Sequence, residues 1–141
     1  MHNTEPHAEV VALLRADDRL LKNNDDMMED ETFYSAIINI GEERDIHEDM
    51  NVLIYAFGEE LTDPRSGESL GFFEVVRGEG VITQTQAKMS VVSSSRTSKS
   101  FRRKPQNALA AFRGTLPQDF EEILVTAPFK GIRVGDLVRF V

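Results

Sequence analysis

Cysteine is missing altogether. With it go disulfides, thiolate nucleophiles and zinc–thiolate sites, so zinc fingers are excluded and the chain fits a reducing cytosol. Long apolar runs are missing too. None approaches the length that spans a bilayer, and the N-terminus is acidic and polar where a secretory signal is basic and then apolar. The chain is therefore read as soluble, unprocessed and cytoplasmic, with no membrane partner. Histidine is scarce: His2 and His7 lie near the N-terminus and His47 in an acidic loop, so the sequence assembles no catalytic triad. No glycine-rich loop precedes a helix to cradle phosphate, Gly78-Glu-Gly80 being short and better read as a turn, and Ser93 to Ser95 lack the glycines of a nucleophile elbow. Glu59-Glu60, and Asp63 with Glu68, are more simply turn and strand-edge residues than a cation site. The expectation is a non-catalytic protein with no cofactor and no metal; a hydrolase using scattered carboxylates is the alternative with least support.

Basic charge is scarce in one part of the chain and acidic charge is missing from another. The formal net charge is −8. From Met1 to Asp49 only Arg15, Arg19, Lys22 and Arg44 stand against a long series of acids. From Gly80 to Gln118 every formal charge is positive: Lys88, Arg96, Lys99, Arg102, Arg103, Lys104 and Arg113. The overall acidity opposes nonspecific affinity for nucleic acid or anionic membrane, but the split gives the chain two ends of different character.

What is present in quantity is strand-forming sequence. Asn51–Phe57 and Leu70–Val76 are rich in β-branched and aromatic residues, and Asp63-Pro-Arg-Ser-Gly67 between them carries the residues of a turn. Proline presets φ, the aspartate bonds its own backbone downstream, and Gly67 takes positive φ. After Gly78 and Gly80, Val81–Val92 alternates in a third strand. Further strands are expected near Ala36–Ile40, Ile123–Thr126 and Leu137–Val141, which together predict a mainly β protein, a small closed antiparallel barrel of SH3-like or OB-like type.

Before the barrel, the sequence predicts an N-terminal amphipathic helix. Thr4 is a cap, Glu5 and Pro6 suit the first turn, and Val10, Leu13, Leu14, Leu20 and Leu21 recur at helical spacing to about Lys22. Two readings of that stripe stand side by side: self-association with a second copy, or packing on the barrel of the same chain. Asn23–Glu31 has high charge and no period, and reads as a linker without the ligand spacing of a calcium loop. The division is residues 1–32 as helix and acidic linker, and 33–141 as a β-barrel domain with a basic insertion at 93–118.

Several of these stretches carry a resemblance. The strand ending in Asn39-Ile-Gly41, Ile46 with the acidic turn before Met50, the strand Val52–Tyr55, the string from Asp63 to Gly71, and the closing Gly131-Ile-Arg-Val-Gly-Asp-Leu-Val138 resemble a small β-barrel domain of bacterial proteins. The C-terminal domain of flagellar assembly protein T is an example. The likeness covers roughly Ala36 to Val92 and the last ten or so residues. It implies a barrel and no catalytic residue. Glu48-Asp49 stands where such barrels usually place a glycine, and the basic insertion is extra. Asp49-Met50 and Gly135-Asp136 are expected to occupy similar corners, making the first and last hairpins equivalent parts of the wall.

The insertion carries the partner expectation. Ser93–Ser100 is polar, and Phe101-Arg-Arg-Lys-Pro105 adds an aromatic to a positive cluster. Arg96, Lys99, Phe101, Arg102, Arg103 and Lys104 form the candidate partner-binding set. One reading has them grip an acidic protein surface, including that of a second copy; another has the bases supply phosphate contacts while Phe101 and Phe112 stack on single-stranded nucleic acid. A third leaves a solvated loop paired with the acidic N-terminal arm of its own or a neighbouring chain. The function expected is a protein-interaction or scaffold module that self-associates, with nucleic-acid binding through 93–118 as the alternative.

Overall fold

A computed structural model describes residues 8–103 and 120–141. Among the described residues, nine strands follow in order: β1 (Ala8–Leu14), β2 (Leu20–Leu21), β3 (Ser35–Ile38), β4 (Asn51–Thr62), β5 (Ser69–Thr85), β6 (Ser90–Ser94), β7 (Thr97–Arg103), β8 (Phe120–Thr126) and β9 (Leu137–Phe140). Six of them form a ring in the order β1-β3-β6-β5-β4-β9, closed by pairing of β9 with β1, and every neighbour runs antiparallel. Closure leaves the wall without a free edge. The expected small antiparallel barrel is therefore present.

The expected N-terminal helix is not. Val10 to Leu14 is an unbroken apolar run, and the chain uses it as a barrel strand whose residues Ala8 and Val10 point into the core. A register shift between Val10 and Ala12 leaves Val11 bulged outward, and Leu13 is then buried beside Ala12. β2 returns antiparallel over the end of β1, which buries Leu21 and leaves Leu20 exposed. Helical spacing and a bulged strand with a return segment thus place the same leucines at the same positions. Thr4, Glu5 and Pro6 lie outside the described residues.

Asn23–Glu31 is packed rather than free. Asn24 exchanges two hydrogen bonds with Val134: its side-chain amide donates to the Val134 carbonyl at 3.0 Å and its Oδ1 accepts from the Val134 N–H at 2.9 Å. Arg15 Nε donates to Glu31 at 2.8 Å, and Met27 packs on the core. Arg15 holds the Glu31 carboxyl below its ordinary range through this hydrogen bond.

β5 is longer than the sequence suggests. Gly78 and Gly80 do not turn the chain; they lie inside the strand, where side chains would collide with neighbours. A Cβ at Gly78 would sit 2.7 Å from the Phe129 ring, and one at Gly80 would sit 2.4 Å from Val92 Cγ1. Reversal comes instead between Thr85 and Ser90, so Val81–Val92 is the end of one strand and the start of the next. The Asp63–Gly67 turn forms as expected: Gly67 N donates to the Asp63 carbonyl at 2.8 Å, Asp63 Oδ1 accepts from Arg65 N at 2.9 Å, and Gly67 has φ +75°.

The barrel is two similar halves. In the first, the corner Asp49-Met50 grips β5: Asp49 N donates to the Ile82 carbonyl and Ile82 N to that of Met50, both at 2.9 Å. In the second, Gly135-Asp136 grips β1: Gly135 N donates to the Val10 carbonyl and Val10 N to that of Asp136, both at 2.8 Å. Matching Val10 with Ile82 and Val52 with Val138 carries every neighbouring pair along. Ala8 pairs with Val138 as Gly80 pairs with Val52, and the register shifts after Val10 and after Ile82 coincide. Asp49 adopts φ 73° and Gly135 φ 98°, so the aspartate serves in the left-handed position where a glycine serves its counterpart.

Candidate functional site

What distinguishes the two halves is what they carry outside the wall. β4 and β5 continue past Tyr55 and Val76 as a two-stranded arm, Phe57 facing Glu74, Glu60 facing Phe72, and Leu61 facing Gly71. A register shift between Phe57 and Glu60 puts apolar side chains on both faces. On one face the Phe57 ring lies 5.8 Å from Tyr55, edge to face, and 6.2 Å from Phe72. On the other, Phe73, Val75 and Leu61 line a shallow apolar groove over Gly58. A Cβ at Gly58 would come within 3.1 Å of Val75, a tight contact at the floor of the groove.

These side chains are not buried by the chain. Phe72 and Phe73 are each 58% exposed, and Phe57, Leu61, Leu70 and Val76 are exposed as well. A two-stranded ribbon is marginal on its own and holds its shape here because its base is fixed. Arg139 of β9 forks onto Glu74 at 3.2 and 3.3 Å while its guanidinium lies 4.7 Å over the Tyr55 ring. Arg77, the extra residue where β5 bulges opposite Ile54 and Tyr55, donates from Nε to Asp136 at 3.2 Å. Asp136 also accepts from Arg133 N at 2.8 Å, and burial outweighs these contacts, raising its carboxyl above the ordinary value.

The described part of the basic insertion contributes one strand of a second projection. β7 and β8 pair over their whole length, from Thr97 with Thr126 to Arg103 with Phe120, in a ribbon separate from the barrel sheet. The expected strand at Ile123–Thr126 therefore belongs to this ribbon and not to the barrel wall. Strand pairing also changes the charge reading. Lys99 lies opposite Leu124 and diagonal to Glu122, with which it pairs at 3.4 Å; Arg102 is directly opposite Glu121 and pairs with it at 2.5 Å. Two carboxylates just beyond the all-positive window thus face the positive strand. Phe101 and Leu124 are 69% and 68% exposed on one face of the ribbon, with Phe120 on the same face. Arg96 is exposed at its base. Lys104, Phe112 and Arg113 lie outside the described residues.

Of the expected self-association stripe, Val10, Leu13 and Leu21 are core residues and present nothing to a partner, because β1 is a wall strand. Leu14 and Leu20 do reach the outside, where with Val11, Ile37, Met89 and Val91 they line an apolar groove on the barrel wall. His47 sits in an exposed loop with its ring Nδ1 3.1 Å from the Glu48 carbonyl. Among the described residues no group of three or more His, Asp or Glu is placed to hold a metal ion, and no helix is long and apolar enough to cross a membrane.

The projecting phenylalanines are what sequence reading missed. The sequence places Phe57, Phe72 and Phe73 in barrel strands, where alternation sends every other side chain inward. No protein family, curated protein or solved structure matches the chain.

Proposed function

We propose that the chain is a non-catalytic protein-interaction module in which the barrel is the scaffold and the β4–β5 arm the docking element. One observation supports this reading above others: both faces of a projecting ribbon carry exposed aromatic and aliphatic side chains, where a solvated hairpin would carry polar ones on at least one face. Aromatic residues on a rigidly anchored projection are the usual anchors of protein interfaces. The likeness to the small bacterial barrel domains is part of the same proposal, since it too brings no catalytic residue.

Single-stranded nucleic acid is a second reading for the β7–β8 ribbon, favoured by exposed Phe101 near Arg96 and opposed by the carboxylates of Glu121 and Glu122. Immobilised full chain and a Phe72→Ser/Phe73→Ser variant, compared for protein capture from extract and for retention of single-stranded DNA and RNA, separate the two. Protein docking predicts capture that the double substitution reduces by about tenfold or more. Salt-dependent nucleic-acid retention that ignores the arm substitution would overturn it.

A further inference from the structure

We infer that the partner of the arm is the β7–β8 ribbon of a second copy of this chain, in a head-to-tail contact. The inference rests on the docking reading above and names its occupant.

The argument starts from charge. Between residues 57 and 76 the arm carries Glu59, Glu60, Asp63, Glu68 and Glu74 against Arg65 alone. By sequence, residues 96–103 and 120–126 of the second ribbon and its base carry Arg96, Lys99, Arg102 and Arg103 against Glu121 and Glu122. Local pairing sharpens the contrast. Arg139 neutralises Glu74, but Glu59, Glu60 and Glu68 form no ion pair among the described residues, whereas on the other ribbon the two carboxylates are both taken by Lys99 and Arg102. An acidic apolar ribbon and a basic apolar ribbon therefore project from one barrel. Like charge opposes arm against arm and ribbon against ribbon, so the complementary contact is between unlike projections.

Backbone geometry agrees. Among the described residues, β4 and β5 beyond the barrel pair with each other and with no other strand, and β7 and β8 do likewise, so within that set each projection has strand edges open to a further strand. Such edges are templates for pairing with another chain. Within one chain the two projections leave from adjacent points, Ser95 N donating to Glu79 and Lys130 N to Arg77, yet among the described residues no ion pair joins them. A contact between unlike surfaces of identical copies is heterologous, and it closes into a ring or extends as a filament according to the rotation it imposes.

The experiment uses the purified full chain alone. Light scattering should show mass rising with concentration. Glu59→Lys/Glu60→Lys on the arm and Arg96→Glu/Arg103→Glu on the ribbon should each raise the concentration of half-association about tenfold or more. Mixing the two variants should restore association, because each then meets a complementary surface. Folding is checked by circular dichroism, and if a reversal variant fails to fold, Glu59→Gln/Glu60→Gln supplies the arm test, with weaker association expected. A monomer at all concentrations, or association that survives both reversals or is not restored by mixing, overturns the inference. A monomer that still captures another protein through the arm would retire the second copy while leaving the docking reading in place.

Discussion

The barrel and its two projections are built from the same kind of residue and treat it in opposite ways. Inside the ring, Ile38, Ile54, Ile82, Val92 and Val138 are fully buried; a few residues along the same strands, Phe57, Phe72 and Phe73 face solvent. The strand does not change in propensity between the two. What changes is the neighbour: β4 has β9 on one side and β5 on the other up to Tyr55, and past that point, among the described residues, only β5. Closure stabilises the barrel by burying its apolar side chains, and the projections gain nothing comparable until something covers them. The difference assigns stability to the ring and recognition to the projections.

The sharpest way to break this division is to put a charge at each location. Leu13→Asp places a carboxylate in the core and should destabilise the chain by about 4 kcal/mol or more, whereas Leu20→Asp on the outer surface should stay within about 1 kcal/mol of wild type. Urea unfolding of both variants checks it. Truncation sharpens the same contrast: Ile54→Ala should cost about 2–5 kcal/mol, and Phe72→Ala, half exposed on the arm, less than about 1 kcal/mol in the unassociated chain.

Backbone positions come next. Gly41→Ala would put a Cβ 2.1 Å from the Gln86 carbonyl oxygen and 2.8 Å from Met89 N, so it should lower stability by about 1–3 kcal/mol. At the turn, Gly67 has open space around it but φ +75°, and Gly67→Ala should cost about 1 kcal/mol through backbone strain alone. Thermal unfolding of the two variants tells steric collision from strain.

The smallest effect concerns pH. Burial raises the Asp136 carboxyl, so the folded state holds this proton more tightly than the unfolded chain does. Stability from this group is present at low pH and declines as pH rises from the ordinary carboxylate value, about 4, through the raised folded value. Asp136→Asn removes that decline. Wild type should therefore do best relative to the variant in acid and lose ground as pH rises; a difference in unfolding free energy between the two that does not move with pH contradicts it.

Much of the barrel was legible in the sequence. The Asp63–Gly67 turn, the strand at Asn51 and the closing strand followed from turn chemistry and alternation, and the equivalence of the Asp49 and Gly135 corners followed from their shared spacing after Ile46 and Ile132. β1 was hidden because a bulge at Val11 and a return strand at Leu20 reproduce helical spacing, and only the partners β3 and β9 distinguish the two. The charge of the second ribbon was misjudged because its neutralising carboxylates, Glu121 and Glu122, lie some twenty residues away in sequence but next to Arg102 and Lys99 once β7 and β8 pair. The exposure of Phe72 and Phe73 was hidden for a related reason: whether a strand residue is covered depends on how many neighbours its strand has, which alternation does not encode.

Hydrogen exchange on the full chain, at dilute and at high protein concentration, tests the central claim most directly because it reads each strand separately. The account predicts that backbone amides of 57–62 and 69–76, together with those of 97–103 and 120–126, gain protection as concentration rises while the barrel strands stay unchanged. Protection that appears instead along β1 and β3, over the Val11 and Ile37 groove, with both projections exchanging freely, would contradict it.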